Sequence, residues 1–95
     1  MADERIERVT QLLDEAESAH ATYEQEQLGG QRDEQWTSWY AGHVVEHDLG
    51  GVLGTTPTIE DVAAVLTEAT DDLEREGGGR EWSEFAAERV VDRLG

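Results

Sequence analysis

The sequence predicts an all-α fold, an antiparallel four-helix array assembled from two related helix-loop-helix hairpins. Three observations predict it. Apolar residues recur at spacings of three and four along four segments. Glycine doublets or triplets interrupt those segments. The second half of the chain also repeats the first at constant offsets. A length of 95 residues accommodates one domain over 1–95, with a first hairpin over 3–50 and a second over 58–95. So short a chain buries a small share of its surface, which favours four packed helices or a dimer sharing one core.

The first helix is expected over residues 3 to 24. Asp3 is its N-cap, and Ile6, Val9, Leu12, Leu13, Ala16, Ala19 and Tyr23 form one apolar face. The polar stretch from Glu24 to Gln35 contains Gly29-Gly30 and reads as the turn. A second helix starts between Trp36 and Ser38 and runs to about Asp48, where Leu49-Gly50-Gly51 stops it. Val52 to Pro57 then forms a connection. Thr58, three residues before Asp61, opens the third helix in the manner of a capping box. Its apolar face is Ile59, Val62, Val65, Leu66, Ala69 and Leu73, and it ends at Gly77-Gly78-Gly79. A fourth helix spans Trp82 to Leu94. Two hairpins that are each apolar on one face bury those faces against each other.

The repeat is ungapped within each helix. Ile6-Glu7, Val9, Leu13 and Glu15-Ala16 recur 53 residues later as Ile59-Glu60, Val62, Leu66 and Glu68-Ala69. Trp36, Ala41 and Val44-Val45 recur 46 residues later as Trp82, Ala87 and Val90-Val91, while Trp39 becomes Phe85 and Glu46 becomes Asp92. Two matches in the same order, joined by a glycine loop seven residues shorter in the second copy, indicate a duplication.

The segment Asp33-Glu34-Gln35-Trp36-Thr37-Ser38-Trp39-Tyr40-Ala41, followed by Val44-Val45-Glu46-His47, resembles a motif in a group of short, uncharacterised bacterial proteins. Their pattern reads D-x-x-W-P-x-W-Y-A-x-Y-L-L-D-R, with a weaker copy near the C-terminus. Trp82-Ser83-Glu84-Phe85-Ala86-Ala87 and Val90-Val91-Asp92-Arg93 match that weaker copy. Thr37 stands where the pattern has Pro, and both residues suit a helix start. His43 stands where it has an aromatic. The resemblance covers about thirty residues and implies no activity.

Seven Arg, no Lys and 23 Asp plus Glu give a formal net charge of −16. Phosphate backbones and anionic membranes are repelled by such a surface, so neither nucleic acid nor membrane is an expected partner. Acidity on this scale, with Lys absent, fits a salt-rich, halophilic cytoplasm in which repulsion between carboxylates is screened. The N-terminal residues contain no apolar run of the signal-peptide kind, and the expected location is cytoplasmic. The absence of Cys rules out disulfides, thiolate metal sites and Cys nucleophiles.

Chemistry-bearing constellations are few. The sequence lacks Gly-x-Ser-x-Gly, a phosphate-binding Gly-Lys-Ser/Thr, an Asp-Ser-Leu for a carrier arm, and any Lys for a Schiff base. Ser38, His43 and Asp48 share one helix and cannot surround a substrate. Glu17-x-x-His20 is the half-motif of di-iron bundles, but Thr70 and Leu73 occupy the matching places on the third helix. Two candidates remain. His43 and His47, at i and i+4 on one face, converge with His20 if their helices meet, and could hold Zn²⁺ through N/O ligands. Their counterparts in the second copy are Arg89 and Arg93, with Leu73 for His20. This points instead to half-buried basic groups beside aromatics.

The second candidate is a groove formed by Trp36, Trp39, Tyr40, Arg89 and Arg93, suited to a small anionic or aromatic ligand or a partner peptide. Core packing is the alternative role for those aromatics. The expected function is a small acidic binding or interaction module without catalysis or cofactor, held by a protein partner or by self-association. The alternatives are a metal- or small-ligand-binding protein using the His/Arg groove, and an acidic inhibitor that mimics nucleic acid toward a basic partner.

Overall fold

Each apolar stripe becomes a helix in the computed structural model, which describes residues 4–30 and 35–95. The helices are α1 (Glu4–Gln27), α2 (Trp36–Glu46), α3 (Leu49–Leu53), α4 (Ile59–Arg75) and α5 (Trp82–Leu94), with no strand among the described residues. The expected cap Asp3 and the first two residues of the Trp-rich motif, Asp33 and Glu34, lie outside the described residues. None of the helices is long and apolar enough to cross a membrane.

The structure corrects the expected elements at two places. Helix α1 continues through the polar stretch to Gln27, because Glu and Gln are good helix formers and need no buried face to stay helical in the last turn. More consequential is α3, a fifth helix where a glycine stop and a connection are expected. α2 ends at Glu46, and Asp48 turns the chain through a left-handed conformation (φ 75°) into α3. Leu49 and Leu53, one turn apart, are then both buried. Burying two Leu side chains contributes about 1.5–3 kcal/mol each, against a cost of roughly 1 kcal/mol for each helical glycine.

Close approach of backbone requires glycine at position 50. A Cβ on Gly50 would sit 2.9 Å from the Thr55 carbonyl oxygen, and one on Gly51 would collide with the Asp48 carboxylate. The same doublet that marks a stop in the sequence thus lets a turn of helix pack tightly.

The other boundaries follow local chemistry. The Thr58 hydroxyl accepts a hydrogen bond from the Asp61 N–H at 3.1 Å and caps α4. At the far end Gly77 adopts φ 93°. Its N–H donates to the Glu74 carbonyl, and that of Gly78 donates to Leu73. That pair of bonds is a Schellman stop, and the positive φ favours glycine.

The four long helices pack in a closed circuit. α5 lies on α1 and α4, and α2 lies on α4 and α1, while α3 covers α1 and α2. Val9 and Leu13 from α1, Val44 from α2, Val62 and Leu66 from α4, and Val90 from α5 meet inside that circuit as fully buried side chains. These positions pair by the sequence repeat: Val9 with Val62, Leu13 with Leu66, Val44 with Val90. Ile59 departs from the expected apolar face of α4, since it is 44% exposed at the start of the helix.

Candidate functional site

Aromatic rings form a seam between the two halves. Trp36, Tyr40 and Trp82 meet edge to face, with centroids 5.3 Å apart for Trp36–Tyr40, 5.6 Å for Trp36–Trp82 and 5.5 Å for Tyr40–Trp82. Such pairs add about 0.5–1.5 kcal/mol each beyond the area they bury. The Trp82 indole N–H donates to the Thr70 hydroxyl at 2.9 Å, which orients the ring on α4. The Tyr40 phenol has its pKa pushed up to about 12, chiefly by burial and further by Glu17 and Glu24.

His20 belongs to this seam. It is 5% exposed, packs 5.0 Å from both Trp39 and Tyr40, stacks on Tyr23 at 6.0 Å, and places Nδ1 3.7 Å from a Glu24 carboxylate oxygen. Its position matches that of the buried Leu73 in the second half.

His43 and His47 are brought together with each other and not with His20. Their rings stack face to face at 4.0 Å and 15°, and His43 stacks in turn on Trp39 at 5.5 Å. His47 Nδ1 lies 2.7 Å from the His43 carbonyl oxygen, which fixes the His47 ring. Stacked imidazoles turn their faces to each other, whereas shared metal ligation needs nitrogens aimed at one point. Among the described residues no group of three His, Asp or Glu side chains is placed to hold an ion. His43 Nε2 is buried and makes no hydrogen bond among the described residues. Burial foremost, and then His47, lowers the His43 pKa, against the opposing pull of Glu15 and Glu46.

The arginines are bound to carboxylates of α4. Arg89 Nη1 donates to Glu68 Oε1 at 2.9 Å and to Asp72 Oδ2 at 2.6 Å, and Arg93 Nη2 donates to Glu68 Oε1 at 2.6 Å. The bond to Asp72 is the main reason that the Arg89 pKa is raised, with burial opposing it and the charges of Asp72 and Glu68 adding to it. Arg80 pairs with Glu88. The guanidinium carbons of Arg80 and Arg89 stand 5.4 and 5.5 Å from the centroid of the Phe85 ring, within cation–π range.

Two grooves flank this framework. One, between the start of α1 and the outer face of α5, has a volume of about 560 Å³ and is lined by Arg5, Ile6, Arg80, Phe85, Glu88 and Arg89, among others. The second, of about 280 Å³, is lined by Ser38, Trp39, Gly42, His43 and Glu46. Ile59 of α4 borders it, its Cδ1 lying 4.0 Å from where a Gly42 Cβ would stand. Four lining positions correspond along the repeat: Phe85 with Trp39, Glu88 with Gly42, Arg89 with His43 and Asp92 with Glu46; Ile59, at the border of the second groove, corresponds to Ile6 of the first.

The single His/Arg groove expected from the sequence is therefore divided. His43 and Arg89 occupy equivalent places in different grooves. Trp39 lines the second of them, Trp36 and Tyr40 lie in the seam, and Arg93 is held on Glu68. The sequence does not single out Arg5 or Arg80, because the first stands at the start of α1 and the second follows a glycine triplet. Arg80 reaches the Phe85 ring from just before α5, and only the packing of α1 on α5 brings Arg5 to the same groove. No family model, curated protein or solved structure matches the chain.

Proposed function

We propose that this protein is a binding module, built by duplication of a helical hairpin into an antiparallel four-helix array, with α3 added in the connection. Its binding surface is the pair of related grooves. The observation that carries the reading is that four lining positions of one groove correspond to four of the other, so that an aromatic ring, a basic group and a carboxylate recur in register. Core residues recur in a duplication because any packed hairpin needs them. A ring, a base and an acid along one concave face are in addition the mixture by which concave sites hold ligands.

The contact of Trp36 with its own counterpart Trp82 also supports duplication, since equivalent residues of two copies touch where a pseudo-two-fold axis passes between them.

A screen of small fragments bearing carboxylate, amine and aromatic groups tests this, read by backbone-amide NMR in concentrated salt. The expected result is perturbation concentrated at residues 39–46 and 85–92. Perturbations scattered over the acidic faces, or none from any fragment class, would rule out the grooves as the binding surface.

A further inference from the structure

The geometry points to the groove between α1 and α5 as a site for a small oxyanion, a phosphate or carboxylate group, held over the Phe85 ring by Arg80 and Arg89 with Arg5 on the opposite wall. This deepens the binding-module reading and rests on it.

The first ground is distribution. The chain has seven Arg against 23 Asp plus Glu, and three of the seven, Arg5, Arg80 and Arg89, line this one groove. Cations that merely relieved the acidic surface would be dispersed among the carboxylates. Three of them gather instead along one concavity, where Glu88 and Asp92 are the acidic side chains in the lining.

The second ground is open donor capacity. A guanidinium presents five N–H donors in a planar fork. Arg89 spends its Nη1 on Glu68 and Asp72, leaving Nε and Nη2 without a hydrogen bond among the described residues. Arg80 bonds Glu88 through Nη2 and leaves Nη1 and Nε in the same condition. The two carboxylates of α4 and the Phe85 face hold Arg89 in place, so little side-chain entropy is lost when an oxyanion docks. An Arg fork matches two oxygens of a carboxylate or phosphate, which is the geometry a planar donor pair selects.

The second groove sharpens the assignment. It carries His43 in place of Arg89 and Gly42 in place of Glu88, and its lining contains no Arg. The lowered proton affinity of His43 leaves that ring neutral at pH 7.5, so the second groove lacks a fixed cation and serves as an internal control.

Titration of the whole protein with inorganic phosphate, and separately with citrate, followed by amide NMR at pH 7.5 and constant ionic strength set with chloride, tests the site. Saturable shifts are expected at residues 85–92 and absent at 39–46. Arg80→Gln should weaken binding roughly tenfold, whereas Arg75→Gln, which removes the same charge from an 79%-exposed side chain outside the groove, should leave it unchanged. Saturation by phosphate alone or by citrate alone assigns the site to that oxyanion.

Linear shifts that chloride reproduces, or equal weakening by the two variants, would overturn the assignment. If fragments of other chemistry bind at 85–92 while both anions fail, the oxyanion reading falls and the binding module stands. If neither fragments nor anions bind in either groove, both fall.

Discussion

The two hairpins solve one packing problem with different chemistry. In the second, Arg89 and Arg93 reach across to Glu68 and Asp72 and hold α5 on α4 with permanently charged groups. In the first, the same two positions are His43 and His47, and the places of Glu68 and Asp72 are taken by Glu15 and Ala19. A two-carboxylate clamp has no room to form there. The helices α1 and α2 are joined instead by a run of ring contacts, tilted from His20 to Trp39 and stacked from Trp39 to His43 and His47. One hairpin is held by ion pairs, and the other by contacts between imidazole and indole rings. The shared apolar core tolerates either solution, and the difference reaches inward only where the buried His20 stands in the place of Leu73.

The largest test of that equivalence lies in the core. Leu13→Ala and Leu66→Ala remove side chains that are both fully buried and that correspond along the repeat. Each should cost about 2–5 kcal/mol in urea unfolding. Costs of similar size would sharpen the comparison, and a large cost at one with none at the other would break it.

Next is the clamp. Arg89→Met should lower stability by about 1–2 kcal/mol, since it leaves two partly exposed carboxylates without their cation, and the loss should shrink as salt rises. The reverse experiment imports the clamp into the first hairpin. Ala19→Asp with His43→Arg should show a favourable coupling of roughly 0.5–1 kcal/mol in a double-mutant cycle. Zero coupling would mean that the two hairpins do not place these positions alike. Thr58→Ala, which removes the only side-chain cap seen at a helix start among the described residues, should cost about 1 kcal/mol.

The smallest expected effect is one of pH. The folded-state pKa of His43 lies below its ordinary value of 6.5, so the unfolded chain takes up the proton first. Stability from this group is complete above pH 6.5 and declines as the pH falls from there through the folded-state value. Protonation would also put a charged ring face to face with His47 and an unpartnered N–H at the buried Nε2. The difference in urea midpoint between the wild type and His43→Gln, followed from pH 7.5 to 5, isolates this term from the titration of the carboxylates. A constant difference would show that His43 titrates as it does in the unfolded chain.

What could be read from residues alone was local. Apolar spacing, the Thr58 cap and the glycine stop at Gly77 act within one or two turns of chain, so the four long helices and most of their buried faces were legible without a fold. The site was legible only in part. Arg89 and Trp39 were expected in one groove and line two, since helix faces can be drawn from sequence while their neighbours cannot.

Tertiary packing decided the rest. α3 exists because Leu49 and Leu53 find buried positions on neighbouring helices, a gain that outweighs the local preference of Gly50 and Gly51 against helix. The groove of Arg5, Arg80 and Arg89 exists because α1 lies against α5 and joins the two ends of the chain. Contacts between residues so far apart in sequence depend on which faces are buried together, and no local propensity encodes that choice.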